Sequence, residues 1–269
     1  MQPFGRHGRC WLAAVSSHPG RGSFSGGDVR LERGVAPLPP HRPDRRFPRM
    51  GGNGPATIDQ RRAACTLLAR NEEVGVMADE SVLKVLGISG SLRKGSYNSA
   101  ALRAAQELAP AGMTIDIFDR IGELPLYDDD VRQQGFPPSA EALRDAIRGA
   151  DALLFATPEY NYSISGVLKN AIDWASRPPE QPFAGKPIGI MGASGGVLGT
   201  ARAQYHLRQC FIFLDGRVLN RPEVFIGGAP QKFDADGRLT DEGTRKIMGE
   251  MLQGLADWTN LLKRGAATS

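Results

Sequence analysis

Residues 82–100 read VLKVLGISGSLRKGSYNSA and give the clearest sequence signal for the fold. Its first eight residues form an apolar and β-branched run, which is typical of a parallel strand buried on both faces. The run ends in glycine and serine residues, and apolar residues at helical spacing follow from residue 98. A buried strand, a loop of small residues and a helix in this order predict an α/β fold with a parallel sheet.

The same order repeats along the rest of the chain. Further strands are predicted at 113–119, 152–157, 187–193 and 218–226, and helices at 98–109, 139–149, 164–176, 199–213 and 240–263. This alternation predicts a flavodoxin-like three-layer sandwich over residues 81–265, with a five-stranded parallel sheet in the order 2-1-3-4-5. Such sheets bind ligands beyond the carboxyl ends of their strands. The loops after strands one, three and four are therefore the candidate site.

Residues 1–80 have a different composition. The first 76 residues hold 12 arginines, no lysine and six acidic residues, together with 11 glycines and eight prolines. Such a segment buries too little apolar surface to offset its backbone entropy, so we predict a disordered extension with one short helix at 58–69. A transit peptide is a second interpretation, and a wrongly assigned start ahead of Met77 is a third.

The remaining 193 residues hold 21 basic and 23 acidic side chains, so no overall charge draws them to nucleic acid. No stretch approaches the roughly 20 apolar residues that a membrane-spanning helix requires. The three cysteines form no Cys-x-x-Cys pair, and the acidic run 128–130 has no histidine partner, so no metal site is predicted. We expect a cytoplasmic protein without nucleic-acid binding or membrane insertion.

The loop after the first strand, SGSLRKGSYNS at 89–99, predicts a phosphate site. It offers hydroxyls, an asparagine and Arg93 beside a helix N-terminus, where free N–H groups and the helix dipole favour an anion. An ordinary capped turn has a similar sequence. Gly90 and Gly95 have Walker A spacing, but the required Lys-Ser or Lys-Thr does not follow, and Gly-x-Gly-x-x-Gly is also missing. A single terminal phosphate therefore fits better than a triphosphate or a dinucleotide.

The other two loops have residues that suit a flat heterocycle. The loop TPEYNYSISG at 157–166 begins with a stiff proline, and its backbone groups can match the donor and acceptor edge of a ring. The loop ASGGVLG at 193–199 is small enough for a planar ring to lie against its backbone. A phosphate end and a planar end on neighbouring loops suggest FMN.

Five segments give the chain a resemblance to the NADPH-dependent FMN reductases, and within them to the chromate, quinone and azo reductase branch. They are GSLRKGSYN at 90–98, ELPLYD at 123–128, TPEYNYS at 157–163, KNAIDW at 169–174 and QYHLRQ at 204–209. The resemblance implies an enzyme that passes hydride from NADPH or NADH through FMN to small-molecule acceptors. The acceptors it implies are quinones, azo compounds, chromate-like oxyanions or free flavin, used by a ping-pong mechanism.

The resemblance also implies which residues hold FMN, with no side chain acting as catalyst because the flavin performs the chemistry. The phosphate is implied to contact Ser91, Arg93, Ser96, Asn98 and Ser99, and the isoalloxazine to face Pro158, Glu159, Tyr160, Asn161, Ser194, Gly195 and Gly196. Ser165 replaces a common proline and Thr200 a common glycine. We expect both departures to loosen a loop.

A homodimer or homotetramer is expected from one helix face. Arg202 and Tyr205 are three residues apart and share that face, which favours a subunit contact over solvent. Family members are similar in forming dimers or tetramers whose sites a neighbouring chain completes. Tyr162 and Glu223 are expected to join the same polar network.

Two other functional classes stay open from the sequence. A flavin-binding electron carrier or redox sensor would use the same loops without enzyme activity. Gly192, Ser194 and Gly196 match the Gly-x-Ser-x-Gly nucleophile elbow of hydrolases, but the only later histidine is His206 on the next helix. Cys210, among apolar neighbours, is predicted to be a core residue rather than a nucleophile.

Overall fold

The computed structural model describes residues 82–267. The strands are β1 (Leu83–Ser89), β2 (Met113–Phe118), β3 (Ala152–Ala156), β4 (Pro187–Ala193), β5 (Arg217–Val218) and β6 (Val224–Ile226). The helices are α1 (Tyr97–Glu107), α2 (Asp129–Gln133), α3 (Pro138–Gly149), α4 (Gly166–Ala175), α5 (Ala201–Phe213) and α6 (Glu242–Ala267). None of these helices is long and apolar enough to cross a bilayer. The predicted extension 1–80 and its helix at 58–69 lie outside the described residues.

All strand pairs in the sheet are parallel, and the order is β2-β1-β3-β4-β5, with β6 also paired to β4. The predicted flavodoxin-like α/β sandwich and its strand order 2-1-3-4-5 are confirmed. The predicted fifth strand at 218–226 is instead two short strands, β5 and β6. Pro222 lies between them, and because proline has no N–H to donate, the ladder is interrupted there.

Apolar residues cover both faces of the sheet. On one face Val85 and Leu154 pack with α1 and α6, and on the other Leu86 and Phe155 pack with α3, α4 and α5. Neighbouring residues of one strand thus belong to opposite layers, as the period of two in a strand requires. Trp174 is the largest fully buried side chain of the second layer. Burial on both faces explains why the strands read as continuous apolar runs.

Strand order reverses at β1, which lies between β2 and β3. The loops that leave the carboxyl ends of β1, β3 and β4 therefore converge at one edge of the sheet. We call them the β1 loop (residues 90–96), the β3 loop (157–165) and the β4 loop (194–200). The three loops lead into helices α1, α4 and α5. They contain all the predicted phosphate and ring contacts except Asn98 and Ser99, which lie in the first turn of α1.

Candidate active site

The three loops enclose a cleft of about 230 Å³ at the carboxyl edge of the sheet. Its lining consists of Ser91, Arg93, Ser96, Tyr97, Asn98, Pro158, Glu159, Tyr160, Ala193, Ser194 and Gly195. Most residues predicted to hold FMN thus meet in one place, although they come from three separate loops. Ser99, Asn161 and Gly196 were also predicted and do not line it. Tyr97 and Ala193 do line it, and their place inside the motifs 90–98 and 193–199 was the available signal.

The β1 loop turns into α1 through a capped helix end. The Ser96 hydroxyl accepts hydrogen bonds from the N–H groups of Asn98 and Ser99, at 3.2 and 3.3 Å. The N–H of Tyr97 donates no hydrogen bond within residues 82–267, and Tyr97 lines the cleft, so this N–H is an unused donor. A helix N-terminus with an unused N–H is a favourable place for an anion.

Arg93 supplies the positive charge at this end of the cleft. Its guanidinium lies 5.2 Å from the centre of the Tyr97 ring, and no carboxylate among the described residues pairs with it. Its side chain is exposed. An arginine without a counter-ion, next to a helix N-terminus, fits the dianionic phosphate of FMN.

Two residues predicted to contact the phosphate have their polar side-chain atoms engaged elsewhere. The Asn98 amide bonds both backbone groups of Ala193, 95 residues away. The Ser99 hydroxyl donates to the Ser89 hydroxyl at 3.0 Å. Asn98 therefore connects α1 to the end of β4, and Ser99 connects α1 to the end of β1.

The β3 loop contains a tight two-residue turn. Tyr160 and Ser163 exchange both backbone hydrogen bonds at 3.0 Å, and Asn161 and Tyr162 between them have φ of 50° and 67°. Positive φ at both central residues is the geometry of a type I′ turn, which asparagine tolerates and tyrosine does not favour. The Tyr162 ring is held by the Arg202 guanidinium, 3.7 Å from its centre. Asn161 thus forms the turn, while Tyr160 faces the cleft.

Glu159 reaches the cleft wall but directs its carboxylate to α5. Oε2 accepts hydrogen bonds from the N–H groups of Arg202 and Ala203, at 3.1 and 3.2 Å. Oε1 forms an ion pair with the Arg202 guanidinium, and the Glu159 side chain is only 5% exposed. The carboxylate therefore caps the N-terminus of α5, where negative charge is stabilised by the helix dipole.

The β4 loop is shaped by glycine. A Cβ on Gly192 would overlap the Thr200 hydroxyl and the Thr157 carbonyl, so only glycine allows these segments to approach. A Cβ on Gly195 would meet nothing within 4 Å, and the Gly195 N–H donates no hydrogen bond in the described part of the chain. The Gly196 N–H, in contrast, donates to the Ser194 hydroxyl at 3.0 Å. Open space and a free N–H at Gly195 fit the edge of a flat heterocycle.

The two departures from the family pattern, Ser165 and Thr200, both form side-chain hydrogen bonds. The Ser165 hydroxyl donates to the Gly90 carbonyl at 2.6 Å and caps α4 by accepting from the Leu168 N–H. The Thr200 hydroxyl accepts from the Gln204 amide at 3.1 Å. Ser165 and Thr200 are both buried. Each hydroxyl thus has a buried partner that proline or glycine could not supply. The expectation that these two residues loosen their loops stays a prediction.

The four residues predicted for a subunit contact fall into two groups. Tyr162 and Arg202 contact each other, and the Tyr205 ring is near Phe225 with centroids 6.3 Å apart. Tyr162 and Tyr205 are exposed. Glu223 pairs instead with Arg208 at 3.9 Å. Within one chain the structure therefore does not assemble the four into a single network.

A second cavity of about 600 Å³ lies between α4 and α5. Cys210 lines it together with Ser163, Lys169, His206 and others, so the prediction that Cys210 is a core residue is wrong. Helix α5 buries the side chains of Leu207 and Phe211, while Cys210 faces this cavity. Partial burial raises the pKa of its thiol. His206 Nδ1 lies 3.1 Å from the Ser163 hydroxyl rather than near Ser194, so the hydrolase alternative has no assembled pair.

Comparison with known proteins identifies the family of the chain. The NADPH-dependent FMN reductase family matches residues 83–231. The chain is 62% identical over 187 residues to a NAD(P)H-dependent FMN reductase of Pseudomonas aeruginosa, covering 70% of this chain and 100% of that protein. It is 48% identical over 184 residues to a quinone reductase of Escherichia coli, covering 67% and 97%.

Among solved structures, FerB of Paracoccus denitrificans, a flavoenzyme NAD(P)H:(acceptor) oxidoreductase, is similar with a TM-score of 0.62. The two chains are 38% identical, and the match covers 66% of this chain and 98% of FerB. The family match spans more than half of the chain and includes all three loops of the cleft. The chain belongs to the NADPH-dependent FMN reductase family and is an oxidoreductase that works with FMN and NAD(P)H.

Proposed function

We propose that the cleft binds FMN in one orientation, with the phosphate at the β1 loop and the isoalloxazine between the β3 and β4 loops. The observation that carries this proposal is the polarity of the cleft. Arg93 and the Tyr97 N–H offer positive charge and a donor at one end. Gly195 offers open space and a free N–H at the other.

The protein groups then have distinct tasks. Bound FMN supplies the redox chemistry, taking hydride from NAD(P)H and giving electrons to the acceptor. Pro158 and Tyr160 line the cleft and would limit the ring on one side. The Gly195 N–H would stabilise the negative charge that develops at the edge of the ring on reduction, as an oxyanion hole does. No protein side chain forms a covalent bond in this scheme.

We infer that the preferred acceptors are flat ring compounds. Quinones are preferred first, and azo compounds and free flavin belong to the same class of flat acceptor. The loops of the cleft carry exposed apolar side chains, which we call its rim: Tyr160, which lines the cleft, is 54% exposed, and Val197 and Leu198 of the β4 loop are 95% and 57% exposed. Such a rim gains more from burying a ring than from a small oxyanion such as chromate. The relatives named as quinone reductases support this order.

The reaction is proposed to be ping-pong. One open ring face must serve NAD(P)H and the acceptor in turn, so the oxidised nucleotide leaves before the acceptor binds. A neighbouring chain in a homodimer or homotetramer would narrow this face and exclude water. We propose that this contact involves the exposed rings of Tyr162 and Tyr205 together with Arg202, which packs on Tyr162. Glu223, which pairs with Arg208, would contribute to the contact separately.

The test of this function starts from the visible spectrum of the purified full chain. We expect flavin bands that NADPH or NADH bleaches without oxygen and that a naphthoquinone restores. Double-reciprocal plots at several quinone concentrations should be parallel, and kcat/KM should be larger for the quinone than for chromate. Intersecting lines would refute the ping-pong scheme, and a flavin that NAD(P)H does not reduce would refute the proposed donor reaction.

Assembly and the extension are tested separately. Light scattering should give a dimer or tetramer, and Arg202→Ala with Tyr205→Ala should shift it to smaller species and change acceptor kinetics more than FMN content. A fully active monomer would contradict this assignment. We also propose that the enzyme is cytoplasmic and that residues 81–265 form its reductase domain. Removal of residues 1–76 should then leave FMN content and reductase activity intact. Loss of folding on removal would contradict it.

A further inference from the structure

Strand β4 continues past the end of its neighbour β3. The last ladder bond between them runs from the Thr157 N–H to the Met191 carbonyl at 3.0 Å. The next residue of the β3 loop is Pro158, which has no N–H. Backbone groups of alternate residues point to the same side of a strand, so Ala193 faces β3 as Met191 does. Its N–H and carbonyl therefore lie where β3 no longer offers partners.

The Asn98 side chain takes the place of the missing strand. Its Oδ1 accepts from the Ala193 N–H at 2.8 Å, and its Nδ2 donates to the Ala193 carbonyl at 3.0 Å. A side-chain amide offers the same donor and acceptor as a peptide group, which is why it can complete a ladder. Asn98 is 4% exposed, so water does not compete for these bonds.

This pair of bonds connects the two ends of the cleft. Asn98 is the second residue of α1, and its own N–H donates to the Ser96 hydroxyl that caps the helix. Ala193 directly precedes Ser194 and Gly195 of the β4 loop. One buried side chain thus bonds the start of α1 directly to the end of β4.

We propose that Asn98 is a positioning residue that fixes the β4 loop relative to the β1 loop, and not a ligand of the phosphate. This inference rests on the proposed FMN orientation. It separates two roles that the motif 90–98 does not distinguish. A phosphate ligand matters only for flavins that carry a phosphate. A connection between the loops matters for every flavin whose ring lies against the β4 loop.

Riboflavin and FMN differ only in the phosphate, so the pair separates these roles. We would measure both affinities by flavin fluorescence in the full-length chain after removal of bound flavin, for wild type, Asn98→Ala and Asn98→Asp. Asn98→Asp keeps the size of the side chain and loses the donor to Ala193. Arg93→Ala is the matched control, because it removes a charge from the same loop without touching Ala193. Circular dichroism verifies that each variant is folded.

For both Asn98 variants we expect riboflavin affinity to fall about tenfold or more, because backbone groups of Ala193 lose buried partners. For Asn98→Ala the loss for FMN should be equal within about threefold. Arg93→Ala should lower FMN affinity about tenfold or more and leave riboflavin within about twofold. The reduction potential of bound FMN should become more negative in Asn98→Ala than in Arg93→Ala, because displacement of the β4 loop moves the Gly195 N–H.

The opposite pattern would overturn the inference. If Asn98→Ala weakens FMN and leaves riboflavin unchanged, Asn98 is a phosphate ligand. Unchanged affinity for both flavins in Asn98→Asp would mean that the bond to the Ala193 carbonyl does not position the loop. A wild-type chain that binds neither flavin would refute the proposed function itself, and with it the role of Asn98. If Asn98→Ala does not fold, the riboflavin affinity of Asn98→Asp decides alone.

Discussion

Replacement of Glu159 by alanine tests the link between the β3 loop and helix α5. The N-cap residue of α5, Thr200, makes no side-chain capping bond, and Glu159 supplies the cap from 43 residues away. Its carboxylate accepts from two consecutive N–H groups and pairs with Arg202. Removal of the carboxylate leaves both donors without a partner. Because Ala203 is fully buried, water cannot replace the lost bond at its N–H.

The expected loss of stability is about 3 kcal/mol. A hydrogen bond to a charged group contributes about 1.5–3 kcal/mol, and two are lost, one of them at a partly exposed residue that water rehydrates. We add nothing for the Arg202 ion pair, because the Arg202 side chain is 37% exposed and such pairs contribute about 0–1 kcal/mol. At about 1.4 kcal/mol per factor of ten, the unfolding equilibrium should shift roughly 150-fold.

Urea unfolding followed by far-UV circular dichroism measures this loss. Glu159→Gln keeps one acceptor and loses the charge, so it should lose about half as much, roughly 1.5 kcal/mol. Glu123→Ala is the matched control, since Glu123 pairs with Arg120 at an exposed site and should leave the midpoint nearly unchanged. A loss below about 0.5 kcal/mol in Glu159→Ala, with an unchanged slope, would refute the capping role.

Three further predictions concern other polar contacts. Ser165→Ala removes the cap of α4 and the bond to the Gly90 carbonyl, so urea unfolding should report a loss of about 1–2 kcal/mol; no loss would mean that the bond has no net value. Burial raises the pKa of Asp151, but hydrogen bonds from the Lys263 ammonium and a backbone N–H, with the lysine charge, lower it overall. Asp151 therefore stabilises the fold above its ordinary pKa of 3.8 and loses this effect as pH falls. Between pH 6 and 2.5 the free energy of unfolding should decrease less steeply in Asp151→Asn than in wild type; equal slopes against pH would contradict the pairing. Burial raises the pKa of Cys210, so iodoacetamide at pH 8 should label it more slowly in the native chain than in urea, as read by peptide mass spectrometry; equal rates would contradict the burial.

The sheet could be predicted from sequence because its strands are buried on both faces. Each reads as a short apolar run, and the order of strands and helices leaves few topologies. The position of the cleft followed from the same rule, since ligands bind where strand order reverses. The fifth strand was predicted as one piece because residues 218–226 are largely apolar. Pro222 was visible in that run, and its missing N–H was the signal for a break.

The direction of side chains could not be predicted in the same way. Asn98 and Glu159 lie in the motifs that carry the family resemblance, and both line the cleft. Their polar atoms, however, bond Ala193 and the first residues of α5, which are 95 and 43 residues away in the chain. A local pattern specifies the residue type and its loop. Partners so distant in sequence are decided by the packing of the whole sheet.

The three loops of the cleft are connected through buried polar side chains rather than through apolar contacts alone. Asn98, at the start of α1, bonds Ala193, which directly precedes the β4 loop. Ser165 joins the β3 loop to the β1 loop, and Glu159 joins the β3 loop to α5. A hydrogen-bonded buried group is costly to break, so no loop can move far without exposing a lost bond in another. We therefore expect the cleft to be formed before a cofactor enters. Binding then does not have to order the loops, and more of the interaction with FMN appears as affinity.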